Sequence, residues 1–449
     1  MKKRIIRQGS LFIYLIFISL NTTGKLLAQA DTKKAITTII DREYKPLENL
    51  YKYLHQHPEL SLEEEETSKI LARELEVVGC SVTTGIGGYG VVGVMKNGPG
   101  PVIMIRTDMD ALPMREHTGV EFASNKTIKN KNGEDISLMH ACGHDLHMSS
   151  WVGVSKVLNE LRKEWKGTVV FVGQPAEENG QGARSMLSAG LFTRFPKPDY
   201  ALAIHVNSAL ESGKVGLCFG HALANIDVID ITVKGKGGHG AVPQLTIDPI
   251  VLASKMILGF QTIISREISP QKSALISVGS IHGGTNANII PDKVTLKLSV
   301  RSFDDEVQKS LIEKIMRTCE GIAFTAGLEP EDYPIIEIRN EYTPAVYNEP
   351  ELTSKISNHF KQILGPENVL TLTPEMFGED FGWYHRENPS IPTLIYSVGS
   401  VHPQKMAEAL KSNKTLPSTH SSLYLPDLEP SLKMGILSMS AAVLHLLPN

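Results

Sequence analysis

Cysteine is scarce in this 449-residue chain, which has four: Cys80, Cys142, Cys218 and Cys319. Cys142 lies among histidines and an aspartate, leaving an odd three, so the sequence offers no disulfide framework. Unbalanced charge is also missing: 45 Lys and Arg face 49 Asp and Glu, for a net charge of −4. That balance excludes a basic surface for nucleic acid and an acidic, disordered tail. The partner to expect is therefore a small molecule, with no nucleic acid. Internal repeats and low-complexity linkers are absent. So are long apolar runs: Leu11 to Leu20 is too short for a bilayer, which needs roughly 20 residues.

That short run has a recognisable setting. Lys2, Lys3, Arg4 and Arg7 precede it, and Ala28-Gln29-Ala30 follows as a cleavage-type site. Residues 1–30 read as a signal peptide. A retained membrane anchor is the alternative, favoured by Lys25 close to the cut. The mature chain is expected to start near Asp31 and to be exported, periplasmic or secreted, without stable membrane insertion.

The length exceeds what one core usually accommodates and predicts two domains. Apolar runs at Gly90–Val94, Val102–Arg106, Thr168–Val172 and Tyr200–His205 read as strands, the last ended by His205. The run Trp151 to Leu161 has helical spacing. This alternation predicts an α/β fold, a mixed sheet flanked by helices, over residues 31–222 and 343–449. Between them, residues 223–342 read as strand, helix, strand, strand, helix, strand. That order predicts an inserted ferredoxin-like α+β domain.

The densest chemical signal is His140-Ala141-Cys142-Gly143-His144-Asp145-Leu146-His147. A thiol and two or three imidazoles within eight residues form a set of metal ligands, and Gly143 allows the turn that converges them. Asp108 and Asp110 follow an apolar strand, where α/β folds place active sites. The adjacent acids Glu177 and Glu178 also follow a strand. One can bind metal while the other accepts a proton; the plainer reading is a helix N-terminus with acids facing its dipole. His205 and His420 are weak signals taken singly. Gly235 to Pro243, which exposes His239 on a tight turn, and Gly283 to Asp292 are loops of Gly and polar residues, and neither fits a phosphate-binding loop.

Taken together, these blocks resemble the M20 metallopeptidases, in the amidohydrolase branch of hippurate, N-acyl-amino-acid and auxin-conjugate hydrolases. The resemblance rests on the ordered segments Asp108 to Pro113, His140 to Asp145, Gln174 to Glu178, Gly237 to Pro243, Asn286 to Asp292 and Gly378-Glu379-Asp380-Phe381. It implies two divalent metal ions per subunit, Zn2+ or Mn2+, with Cys142 bridging. Glu178 and His420 would complete one site, and His144 and His205 the other. Glu177 resembles the general base and Asp110 the carboxylate that orients the centre. The inserted domain would serve as lid and dimerisation surface of a homodimer, with His239 reaching the partner's active site. Asn288 and Arg301 would contact a substrate carboxylate. The implied reaction is hydrolysis of N-acyl amino acids or small dipeptides. Alternatives are a carboxypeptidase or aminopeptidase acting on longer peptides, a metal-free binding protein, and a Cys142 nucleophile that would leave Glu177, Glu178 and His205 without a task. Leu146, Met148 and Ser422 stand where Gly, Thr and Pro are usual, which points to an altered pocket shape.

Overall fold

The computed structural model describes the backbone of residues 5–130 and 132–447, with side chains from residue 31 onward. The expected signal peptide, residues 1–30, falls outside the residues whose side chains are described. Among the described residues no helix is long and apolar enough to cross a membrane.

Helices α1 (Ile5–Gln56) and α2 (Glu65–Val77) lead into strands β1 (Ser81–Ile86), β2 (Gly90–Asn97) and β3 (Val102–Asp108). Helix α3 (His144–Glu160) precedes β4 (Gly167–Gln174), β5 (Tyr200–Glu211) and β6 (Val215–Leu217). A second unit holds β7 (Asn225–Lys234), α4 (Pro249–Thr262), β8 (Ala274–His282), β9 (Lys293–Ser302), α5 (Asp305–Thr325) and β10 (Ile335–Ile338). The chain then returns through α6 (Pro350–Leu364), β11 (Val369–Thr371), β12 (Thr393–Val401) and α7 (Leu428–Leu446).

The large sheet has the order β1-β2-β4-β3-β5-β12-β6-β11. Its centre is parallel, from β4 through β3 and β5 to β12. Helices α1, α3, α6 and α7 pack on one face, around Leu47, Trp151, Phe171 and Phe360. Met186, Phe381 and Tyr384 cover the other. Burial on both faces explains why β4 is apolar along its whole middle. The four-stranded sheet, ordered β8-β9-β7-β10, is antiparallel throughout, as the split strand-helix-strand pattern requires. Here α4 and α5 cover one face only. Burial alternates along β7 accordingly, with Ile229, Ile231 and Val233 inward. Both helices are capped: Asp248 accepts from the Ile250 N–H, and Asp304 from those of Glu306 and Val307. The chain's exit and return lie side by side, with Ile226 and Thr343 exchanging backbone hydrogen bonds of 2.9 and 3.1 Å.

One strand end differs from the sequence reading. His205 does not end β5, which runs on to Glu211 by pairing Val206 with Val398 and Asn207 with Gly399. Polar Asn207 and Ser208 hide this extension, because β12 supplies its hydrogen bonds from almost 200 residues away.

Candidate metal centre

The parallel strands bring the site together. Asp108 pairs with Gln174 where β3 and β4 end, and His205 lies two residues beyond the last β3–β5 pair, Arg106–Ala203. All three therefore sit at one level of the sheet, at the carboxyl end of its parallel core. Gly143, at φ +79°, turns the chain into α3. Any side chain there would meet Val206. The turn places Cys142 and His144 over the strand ends.

Among the groups of ligand atoms that result, each within 4.8 Å, are Cys142 with His144 and His205, and Cys142 with Glu178 and His420. Cys142 belongs to both. Its Sγ lies 3.4 Å from His205 Nε2, and His420 Nε2 lies 3.4 Å from Glu178 Oε2. Such separations are spanned by two bonds of about 2.0–2.3 Å meeting at a tetrahedral ion. The orientation of the imidazoles fits as well. His144 Nδ1 donates to the Asp110 carbonyl at 2.8 Å, and His205 Nδ1 to the Val206 carbonyl at 2.7 Å. Each ring is thereby fixed with Nε2 toward the centre, the support that ligating histidines need. His144 Nε2 and Glu178 Oε1 are buried without a hydrogen-bond partner. The donor set thus fits a pair of divalent ions. Four of the ligands lie largely in the interior, whereas the His420 side chain is 53% exposed, so the centre opens to solvent on that side.

The electrostatics agree. Burial opposes ionisation of Cys142, but the charge on His205, whose Nε2 lies 3.4 Å away, and the neighbouring imidazoles of His144 and His420 hold the thiol well below its usual range. Burial, then the nearby Cys142 charge, pushes Glu178 up to about 7. Hydrogen bonds to Cys142 and Glu178 raise His420 to about 10. The group is an anionic pocket whose positive partners are imidazolium protons, a role a divalent cation would take over. Glu177 is different. Burial, followed by the charges of Glu379 and Glu178, pushes its carboxyl well above the ordinary value. Asp110 accepts from Ser61 Oγ at 2.6 Å and from the Glu178 N–H at 2.9 Å, bracing both the acid pair and His144.

Two residues here carry left-handed backbone without being glycine, Ala176 at φ +53° and His420 at φ +63°. Such conformations cost about 1–3 kcal/mol each and persist where the surroundings impose them. Ala176 is held by its N–H donating to buried Glu64 at 2.7 Å, and His420 by its N–H donating to the Ala141 carbonyl at 2.9 Å. The two strained points aim Glu177 and the His420 ring.

Several residues close to the centre had no role in the sequence reading. Arg106 is completely buried and contacts Asp108 at 2.7 Å, Glu379 at 2.8 Å and Asp380 at 3.1 Å. Gln174 bridges Arg106 and Asp380, and Tyr384 donates to Gln174. Glu177, Glu379 and Asp380 form a further close group of carboxylates. The available signals were an arginine inside an apolar strand and two acids in the Gly378 to Phe381 block. On the other side of the centre, His55 bonds Asp145 at 2.6 Å and Glu116 at 3.1 Å, clamping α1 to the start of α3.

His147 is no free ligand: its Nδ1 donates to Asp108 at 2.7 Å, and its Nε2 accepts from the Val206 N–H at 2.8 Å. Leu146 packs on Tyr51, Val206 and Tyr424, and Met148 lies in the main core. His239 and Asn288 are exposed in the four-stranded unit, and none of the described contacts joins His239 to the five ligands. Arg301 is half-buried, donating to Ser299 Oγ at 3.2 Å and the Met376 carbonyl at 2.5 Å. All four cysteines are free.

Comparison with known proteins places these features in a family. Residues 104–415 match the model of peptidase family M20/M25/M40. The chain is 36% identical over 349 residues to an N-acetylcysteine deacetylase of Bacillus subtilis, covering 76% of this chain and 85% of the relative. It is 37% identical over 339 residues to a hippurate hydrolase of Campylobacter jejuni, covering 75% and 84%. A crystal structure of a dinuclear metal-binding M20 peptidase from Bacillus subtilis superposes with a TM-score of 0.71 at 30% identity, covering 92% of this chain and 99% of that one. With its mixed sheet, inserted four-stranded unit and cluster of metal-ligating side chains, this protein belongs to peptidase family M20/M25/M40 and is a metal-dependent amidohydrolase.

Proposed function

We propose that the protein hydrolyses the amide bond of N-acyl amino acids or small dipeptides, using two divalent ions per subunit. Cys142, Glu178 and His420 would hold one ion, and Cys142, His144 and His205 the other. The observation that carries this reading is Cys142 Sγ shared by two converging ligand groups, with the largely enclosed Glu177 beside them. The names of the deacetylase and hippurate hydrolase relatives support the substrate class. Thiolate and imidazole suit Zn2+, while the carboxylate and water also suit Mn2+.

When bound, the ions acidify a water molecule and polarise the scissile carbonyl. Glu177 takes the water's proton and delivers it to the leaving amine. A base of raised proton affinity is suited to both steps, and burial with the neighbouring acids Glu379, Glu178 and Asp380 supplies that affinity. Asp110 holds His144 and the Glu178 backbone in place. Arg301 anchors the substrate carboxylate, with Asn288 from the neighbouring loop. Its half-buried guanidinium has neutral oxygens for partners, and burial pushes its pKa down. An anionic substrate group would supply the missing charge. The inserted unit acts as lid and dimer surface, so that His239 reaches the partner's centre and stabilises the oxyanion. Residues 1–30 direct export to the periplasm or beyond.

The reading is tested by metal analysis together with a substrate panel. Expected are two ions per chain and a kcat/KM about 10-fold or more higher for N-acetyl or N-benzoyl amino acids than for tetrapeptides. Preference for tetrapeptides would establish the peptidase alternative. Less than one ion per chain after purification in metal-containing buffer would favour a binding protein. His239→Ala is expected to lower kcat about 100-fold, the loss typical of one oxyanion donor. Mixing it with Glu177→Gln should restore activity in mixed dimers. No recovery in confirmed mixed dimers would count against action across subunits.

A further inference from the structure

The open face of the four-stranded sheet, opposite α4 and α5, carries Leu275 paired with Arg301 and Ser277 paired with Ser299. Their neighbours Ile276, Leu298 and Val300 point the other way, into the core. Across from this face runs the segment Met376–Phe377. A cavity of about 270 Å³ lies between them, lined by Leu275, Ser277, Ser299, Arg301, Met376 and Phe377. That volume is slightly below the roughly 300–1,000 Å³ of sites for drug-sized ligands and suits an amino-acid-sized group.

The far wall is held in place. The Phe377 carbonyl accepts from the Ala224 N–H at 2.8 Å, and the Met376 carbonyl from Arg301 at 2.5 Å. Gly378 lies so close to the sheet that an added Cβ would come within 2.1 Å of Ile226 Cδ1. The backbone is pinned at three successive residues, and Phe377 is 62% exposed. Two residues further on, Glu379 joins the carboxylate group of Glu177. One wall of the cavity thus continues, within two residues, into the segment that carries Glu379.

We infer that this cavity receives the side chain of the substrate's amino-acid portion, and that Phe377, with Met376 and Leu275, selects large apolar side chains there. The inference rests on the amidohydrolase reading and on Arg301 as carboxylate anchor. Carboxylate and side chain leave the same substrate carbon, so an anion held at Arg301 brings the side chain against the adjoining apolar wall. A large apolar group covers Phe377 and gains its burial. Glycine leaves the wall wet. A lysine side chain meets the like charge of Arg301, and an aspartate side chain finds two hydroxyls and no second cation.

The test compares kcat/KM for N-acetyl-L-phenylalanine, N-acetyl-L-leucine, N-acetylglycine and N-acetyl-L-aspartate in the metal-loaded enzyme. The phenylalanine and leucine substrates should exceed the glycine one by about 10- to 100-fold. Phe377→Ala should lower the phenylalanine-to-glycine ratio by about 10-fold, while Phe377→Leu should retain most of it. Turnover without side-chain preference, or a ratio unchanged in Phe377→Ala, overturns the pocket assignment alone. No turnover of any of the four or of their N-benzoyl counterparts overturns the N-acyl-amino-acid reading and this assignment with it.

Discussion

Replacing Glu177 by Gln is expected to lower kcat by about 100- to 10,000-fold, the range for a positioned general base, while both ions stay bound. The amide keeps the shape of the carboxylate but cannot carry the proton from water to the leaving amine. The geometry makes the metal half of this prediction demanding. Glu177 Oε2 lies 4.0 Å from His144 Nε2, and Glu178 Oε1 lies 3.8 Å from the same nitrogen. Glu177 and Glu178 are thus almost equally near one ligand, and proximity does not separate base from ligand. What separates them is company. Glu178 is shared with His420 and Cys142, whereas Glu177 faces Glu379 and Asp380. Metal stoichiometry measured beside kcat decides the matter. Loss of an ion in Glu177→Gln would make Glu177 a ligand, and retained turnover would place the base elsewhere.

The second large effect belongs to Arg106. Arg106→Leu should destabilise the protein by about 3–5 kcal/mol, the usual consequence of removing one partner from a buried ionic group. The guanidinium and its three carboxylate partners are all buried. The attraction of those carboxylates outweighs the burial that would otherwise push Arg106 down. Without it, Asp108, Glu379 and Asp380 remain in a low-dielectric interior with no cation between them. Asp380, raised to about 7 by burial against the pull of Arg106, would move further up. Thermal unfolding of the metal-loaded variant, or its failure to accumulate as soluble protein, is the readout. An unfolding midpoint equal to that of the unchanged protein would show that the carboxylates are satisfied some other way.

Much of the centre was legible because its ligands are encoded locally. His140 to His147 and Gln174 to Glu178 are short segments whose residue types have few other uses in such density. The strands that carry them are apolar along both faces, and such runs stand out in a sequence. The four-stranded unit was legible for a related reason: one covered face produces strict alternation in β7 and β9. His205 was harder, since β5 is extended by a partner strand whose pairing has no local signal.

By itself, the sequence determined the layered α/β class, the inserted unit, the dense His140 to His147 cluster and the pair of adjacent acids. Residue type and short-range spacing carry that information, because a strand end or a tight turn fixes where nearby side chains point. Only the tertiary structure decided which imidazoles are available and what holds the acids apart. His147 is consumed by Asp108 and a backbone N–H of β5. Arg106 finds Glu379 across 273 residues, and Gln174 finds Asp380 across 206. Backbone carbonyls orient His144 and His205. Hydrogen bonds to main-chain atoms leave no mark in residue identity, and ion pairs between distant segments exist only once the sheet has set its strand order.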